Sequence, residues 1–361
     1  MRFISPFLKR ILYPVMSMAG MFPSAAAGGL AVVTYHGVVP RGYKLGDAGL
    51  DGNLISSEML RRQVRLLKAR YQVISPNDAL AWIERRRDLP PRAVLLTCDD
   101  GLLNCLTDMV PVLREEGVGC LFFVTGASAA QSRSVLWYEE LFLLFLRARV
   151  GSFKISCEAL TIRGNLGSPK QRRALWWDLV RRLSEFTAEV RRSFLYAART
   201  EFGLENPIDL QNSESCRRFG LMTRSELREL VSAGMSIGAH TMSHPMLSRA
   251  PAPVAAEEIA GSKTALESVL QQPVWAFAYP FGDSQSVTLP ILEMTRTTGF
   301  SAAFLNYGGG LGVDLPPYAL PRAHVTAGMS LSELEAHVCG FYSRLRRVIR
   351  RSSSISAPGV S

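Results

Sequence analysis

Two carboxylates leave an apolar run side by side, in Val94-Leu95-Leu96-Thr97-Cys98-Asp99-Asp100-Gly101. Neighbouring strand residues face opposite sides, and Gly101 allows the turn that re-aims one of them. Such a pair can divide labour, one carboxylate holding a cation while its neighbour takes a proton. Asp100 equally suits the N-cap of a helix starting near Leu102. A second cluster, His240-Thr241-Met242-Ser243-His244, holds two of the chain's five histidines. Four apart on a helical turn, two imidazoles face one point, and imidazole is a common nitrogen ligand for Zn²⁺. With Asp100 as third ligand the set becomes two histidines and one carboxylate, which leaves positions open for water and substrate. Two histidines on an exposed turn are the plain alternative.

Two weaker segments accompany these. Phe277-Ala278-Tyr279-Pro280-Phe281-Gly282 reads as a tight loop after an apolar strand, where a backbone N–H can meet a developing oxyanion. Tyr35-His36-Gly37 ends the first strand in a histidine, for which a buried structural role is the ordinary alternative.

These segments need elements to position them. From Ala31 onward, short apolar or β-branched runs alternate with amphipathic helical stretches, the pattern of βα units around a parallel sheet or barrel. The runs predict strands at 31–36, 71–75, 93–98, 119–125, 235–240, 274–279, 300–305 and 318–325, and helices at 59–70, 76–88, 103–116 and 254–271. Capping boxes start two further helices, Thr223 with Glu226 and Ser330 with Glu333, and Gly234 ends the first of them before the strand leading to His240. All four chemical segments fall at carboxyl ends of predicted strands, where α/β barrels place their active sites. Residues 151–219 break the rhythm. They read as a helical, arginine-rich insertion, with Trp176 and Trp177 adjacent, packed on the barrel's side or mouth. The organisation is therefore an N-terminal apolar segment 1–30, a first barrel part 31–150, the insertion 151–219, a second barrel part with a C-terminal helix 220–351, and a small polar tail 352–361 expected to be disordered.

With 361 residues, 47% of them hydrophobic and 20% charged, the chain has ample material for a core. Its net charge of +10 raises the question of nucleic acid. The excess, however, sits at the ends, in Arg2, Lys9 and Arg10 and in Arg344, Arg346, Arg347, Arg350 and Arg351, and no aromatic-interleaved basic motif follows the middle. That distribution argues against a nucleic-acid groove. Six cysteines without a CxxC pair suggest neither a disulfide framework nor a zinc ribbon, and favour reducing, cytoplasmic surroundings. Phe3, Ile4, Phe7, Leu8, Ile11, Leu12, Val15 and Met16 recur at helical spacing beside Lys9 and Arg10, which suits a helix lying on a membrane surface, kinked by Pro14. The rival is an export signal with Ser24-Ala25-Ala26-Ala27 as its small-residue site.

Thr97-Cys98-Asp99-Asp100-Gly101, His240-Thr241-Met242-Ser243-His244 and Phe277-Ala278-Tyr279-Pro280-Phe281-Gly282, in that order, resemble the leading motifs of the NodB-like polysaccharide deacetylases, over about Ala31 to Val325 without the insertion. The resemblance implies an α/β fold, a distorted (β/α) barrel of about seven parallel strands, and metal-dependent hydrolysis of N-acetyl groups on an N-acetylhexosamine-containing glycan, with a divalent cation, foremost Zn²⁺. It makes Asp99 the general base, Asp100, His240 and His244 the metal ligands, and Phe281 the residue whose N–H meets the oxyanion, with Tyr279 and Pro280 beside the substrate. The third motif of the family commonly begins with an arginine that braces the base; Ala278 stands there. That departure resembles the exopolysaccharide branch, in which a Tyr-His strand comes first and its histidine, here His36, is the general acid. Arg322 in Leu320-Pro321-Arg322 is the candidate for the missing brace, and His324 the rival acid; His337 falls in an amphipathic helix and suits packing. An O-acetyl esterase, or a deacylase of a lipid-linked sugar, would use the same residues. A non-catalytic scaffold on a membrane surface is the remaining alternative.

Overall fold

The computed structural model describes residues 7–22, 29–149, 151–283, 286–309, 312 and 315–345. The strands are β1 (Leu30–Tyr35), β2 (Gln72–Ile74), β3 (Ala93–Cys98), β4 (Leu121–Val124), β5 (Ser152–Cys157), β6 (Leu160–Asn165), β7 (Ser236–Ala239), β8 (Ala276–Ala278), β9 (Ala302–Gly308) and β10 (Leu320–His324). Eight of them form one sheet in the order β1-β10-β9-β8-β7-β4-β3-β2. β1 also pairs with β3 along its whole length, from Leu30 opposite Ala93 to Tyr35 opposite Cys98, and this closes a seven-stranded parallel barrel. β2 takes the first half of β3's other edge and β4 the second half, so β2 lies outside the closed ring. All eight strands expected from the apolar runs are present.

Strand periodicity sorts the barrel into two layers. Val94, Leu96 and Cys98 of β3 face the surrounding helices, together with Val33, Tyr35, Ile237, Phe277 and Tyr279. The alternate set, including Val32, Leu95, Phe123, Ala278, Phe304 and Leu320, fills the barrel interior. The helices Ser57–Arg70, Pro76–Ile83, Ala252–Leu270 and Leu289–Thr297 cover the outside. The helix Arg224–Ser232 starts with the reciprocal Thr223–Glu226 capping box.

The insertion departs from the helical expectation by opening with a hairpin. β5 and β6 pair antiparallel from Ser152 opposite Asn165 to Cys157 opposite Leu160, with Phe153 and Ile155 inward and Lys154 outward. A two-residue turn and a short alternating run resemble the flanking polar chain, which hides the hairpin from helical periodicity. Helices Pro169–Leu183, Ala188–Phe202 and Ser213–Phe219 follow. The core of the hairpin and the first two of these helices also takes in the helix Trp137–Arg147, so this unit begins before residue 151. Phe145, Phe153 and Phe202 meet edge to face with centroids 5.3 to 5.7 Å apart.

At the N-terminus a π turn, Leu8–Leu12, leads into the helix Tyr13–Met18. Pro14 has no N–H to offer the carbonyl one turn back, and the local widening falls there. The segment packs on the helix Leu331–Val338 through Tyr13 and Phe22. The small residues of the export-signal reading, the tail 352–361 and Arg346, Arg347, Arg350 and Arg351 lie outside the described residues.

Phe194 is fully buried in the insertion's core. Phe194→Ala is expected to cost about 3–5 kcal/mol, read as a lower denaturation midpoint in urea.

Candidate active site

The barrel's inner layer, continued past the strand ends, delivers most of the chemistry. In the series Leu95, Thr97, Asp99 the third residue emerges at the mouth. Thr34 and His36, Gly238 and His240, and Leu320, Arg322 and His324 follow the same parity. The turns then use conformations that side chains rarely adopt. Asp100, Thr241, His244 and Phe281 have φ of 75°, 63°, 59° and 61°. Four non-glycine residues in the left-handed region within one site mark strain held by the surroundings. Asp100 is no helix cap, since the next helical turn starts at Leu103, two residues beyond Gly101. His240 and His244 converge through the left-handed Thr241 and His244 instead of through a helical turn, and the His244 N–H donates to Thr241 Oγ1 at 2.9 Å.

Asp99 and Arg322 form a buried bidentate pair, Nη1 to Oδ1 at 2.7 Å and Nη2 to Oδ2 at 2.6 Å. Arg322 Nε donates to the Leu305 carbonyl at 2.6 Å and Nη1 to Thr97 Oγ1 at 3.2 Å, so the arginine proposed from sequence as the brace reaches the carboxylate. Burial alone would raise the Asp99 carboxyl, but Arg322, with His240 and His36, outweighs it and holds the group below its ordinary value. Asp99 is therefore ionised and fixed in direction.

Asp100 turns the other way. Its Oδ1 lies 3.3 Å from His244 Nε2 and 3.6 Å from His240 Nε2, and the three ligand atoms all fall within 4.8 Å of one another. His240 gives its Nδ1–H to the Ala278 carbonyl at 2.7 Å, which points the Nε2 lone pair at the Asp100 carboxylate. Burial, joined by His240, pushes His244 below the ordinary histidine value against the pull of Asp100. Two imidazole nitrogens and a carboxylate oxygen facing one another, all buried, are a donor set that suits a divalent cation. Burial opposes ionisation of Asp100, yet the two histidines hold its carboxyl well below the usual range.

A second ring fixes the histidine loop, and its members are remote in sequence. Arg191, buried in the insertion, donates to Ser243 Oγ and pairs with Glu258 at 3.1 Å. Glu258 accepts from the Ser243 N–H at 2.8 Å. Trp137 Nε1 donates to the His244 carbonyl at 3.1 Å. The insertion also walls the cavity, about 250 Å³, over the ligand group. Trp177 meets Phe281 at 5.5 Å, Tyr138 meets His244 at 4.8 Å, and Trp176 donates to the Tyr138 carbonyl. Arg218 also lines the cavity and is bound by Asp51 and Glu139 at 2.7 and 2.8 Å.

His36 lines the cavity, with Nε2 3.9 Å from Asp99 Oδ2 and a buried Nδ1 that no described residue partners. His324 lies against it, ring centroids 4.7 Å apart, and burial, reinforced by His36, pushes it down to about 3. His337 stacks on Tyr342 at 4.0 Å, away from the cavity. Tyr279 and Pro280, expected beside the substrate, are not among the residues that line the cavity. Tyr279 shares Phe277's outward parity and donates its hydroxyl to the Tyr318 carbonyl at 3.0 Å. The inward parity of β9 instead brings Asn306 to the cavity, its Oδ1 buried without a described partner. Sequence reasoning missed Asn306, although counting by twos from Ala302 and Phe304 reaches it. Nothing local in the sequence signals Arg191, Arg218 or Tyr138.

Fold and site together define a closed (β/α) barrel with an Asp-His-His group at its carboxyl mouth. The family model described as polysaccharide deacetylase matches residues 201–301, which contain both histidines and the Phe277–Gly282 loop. YxkH of Bacillus subtilis, named as a polysaccharide deacetylase, is 29% identical over 117 residues; this chain spans 41% of that relative's length and the match covers 32% of the chain. Among solved structures, the deacetylase PplD of Streptococcus pyogenes superposes with a TM-score of 0.54 at 16% identity, over 87% of this chain and 99% of that one. IcaB from Ammonifex degensii gives 0.53 at 20% identity, over 86% and 97%. These structures share the fold. Over residues 201–301 and the matched 117 residues the chain is similar to polysaccharide deacetylases.

His324 has a folded-state value of about 3 against 6.5 for a free histidine, so between these pH values the folded chain binds fewer protons there than the unfolded chain. Stability is fully present above that window and falls as pH drops through it, by up to about 1.4 kcal/mol per pH unit. His324→Gln is expected to flatten this slope, measured as urea midpoints between about pH 4 and 7.

Proposed function

We propose that the protein is a metal-dependent polysaccharide deacetylase that hydrolyses N-acetyl groups of an N-acetylhexosamine-containing glycan and releases acetate. The observation that carries this reading is the division of two adjacent carboxylates: Asp99 locked on Arg322, and Asp100 turned to His240 and His244.

Asp100, His240 and His244 would hold the cation, with Zn²⁺ best suited to the nitrogen-rich set. A cation bound there supplies Lewis acidity toward an acetamide oxygen and makes water a stronger acid. Asp99, held ionised, accepts the proton of the attacking water; Arg322 keeps its direction fixed while lowering its basicity. The Phe281 N–H, presented by its left-handed turn, donates to the oxygen on which charge develops. His36 faces the cavity beside Asp99 and gives a proton to the departing nitrogen. Water adds to the acyl carbon, the C–N bond breaks, and acetate and a sugar amine leave. His324, held neutral near pH 7 and behind His36, is the poorer acid. Trp177 and Tyr138 give a sugar ring apolar faces to lie on, and Asn306 offers it an unused carbonyl. The intact Asp99–Arg322 pair beside a complete ligand set supports catalysis over a scaffold role.

Acetate release from N-acetylglucosamine oligomers and from an O-acetylated glycan, with and without a chelator, tests the reading. The expected result is release from the N-acetylated substrate, lost with chelation and restored by Zn²⁺, and reduced at least about 10²-fold in Asp99→Asn with unchanged circular dichroism. Release only from O-acetyl groups, or full activity after exhaustive metal removal, would overturn it.

A further inference from the structure

Nine large hydrophobic side chains are exposed on the described surface, and five of them, Phe7, Ile11, Val15, Met18 and Met21, belong to one short N-terminal segment. The spacing of four, four and three from Phe7 to Met18 puts the first four along one helical side, and Met21 follows after the left-handed turn at Gly20. This face is not what holds the segment to the barrel. The opposite face does that: Tyr13 and Phe22 close on Phe341 with ring centroids 6.2 and 5.8 Å away, and Leu8 and Met16 pack on the cluster containing Ala336 and Cys339. The acids beneath are also neutralised on the inner side, Glu333 by Lys9 at 2.6 Å and Glu335 by Arg70 at 2.5 Å, with Ser17 donating to Glu335 as well.

The surroundings of the stripe are cationic. No acidic residue precedes Asp47, and none follows Glu335. Arg10 is exposed beside the stripe. The fold sets the N-terminal segment against residues 336–342, more than 300 residues away in sequence, so these two segments share one surface. Arg344 follows directly, and the sequence adds Arg346, Arg347, Arg350 and Arg351 within the next seven residues.

We propose that this face docks on an anionic lipid bilayer, the stripe entering the headgroup boundary while the basic residues meet lipid phosphates. An apolar stripe beside exposed Arg10 and Arg344, with the nearest acids Glu333 and Glu335 already paired to Lys9 and Arg70, matches the surface of an anionic membrane, where each cationic side chain adds attraction that salt weakens. The contact is with the surface, since no described helix is long and apolar enough to cross a membrane.

Flotation of the full chain with phosphatidylcholine vesicles, with and without about 30% phosphatidylglycerol, tests this. The chain is expected to float with the anionic vesicles and to be released by high salt. The combined substitution Ile11→Gln, Val15→Gln and Met18→Gln, which leaves Tyr13 and Phe22 in place, should lower the bound fraction at least about tenfold. Its melting temperature and its acetate release from soluble oligomers should be unchanged, so this docking fails or stands independently of the deacetylase reading. Equal flotation of the triple variant, no flotation of the wild type, or a wild-type dimer that the triple variant dissolves would overturn the proposal; the last would assign the stripe to a second copy.

Discussion

The guanidinium of Arg322, shut off from water, holds the Asp99 carboxylate in both of its outer arms, and the arrangement of the barrel's mouth follows from that pair. Burying two charges costs several kcal/mol each, and their attraction repays this only where the remaining donors are satisfied. Here Thr97 and the Leu305 carbonyl take the remaining contacts of the guanidinium. β1 lies between β3 and β10, so the pair bridges two strands that do not touch and forms only when the ring is closed. Barrel closure and the direction of Asp99 are therefore one event.

Once Asp99 is neutralised by Arg322, Asp100 has no basic side chain of its own. Two imidazoles converge on it, and one of them is fixed by the Ala278 carbonyl. Adjacent residues with the same chemistry thus acquire different tasks from their neighbours alone. The left-handed turns at Asp100, Thr241, His244 and Phe281 have to be sustained from outside. Arg191, Glu258 and Trp137 do this for the histidine loop, through Ser243 and the His244 carbonyl. The insertion is therefore a structural part of the site as well as its wall.

The frame of this site is legible in the sequence because it rests on local rules. Apolar runs locate all eight strands of the main sheet, and a run ending in Asp99-Asp100 or His240 announces a strand end with chemistry on it. Strand parity is legible too; applied through to the ends, it separates inward Asn306 from outward Tyr279. Tyr279 is misplaced when it is judged by its position in a loop motif instead of by the face it shares with Phe277. What the sequence does not carry is tertiary. Arg191 looks like its exposed neighbour Arg192 until Glu258 and Ser243 are placed around it. Left-handed conformations at residues other than glycine leave no compositional mark, and the hairpin at Ser152–Asn165 is too short for its period to stand out. The packing of the N-terminal segment on residues 336–342 likewise depends on Phe341 reaching Tyr13 and Phe22.

The central claim is that Asp100, rather than Asp99, joins His240 and His244 in holding a divalent cation. Anomalous diffraction at the zinc edge from crystals soaked in Zn²⁺ tests it most directly. The account predicts one strong peak between the Asp100 carboxylate and the two Nε2 atoms, with Asp99 still paired to Arg322. A peak coordinated by Asp99 with the Arg322 pair broken, or no peak among these residues at saturating Zn²⁺, would contradict it.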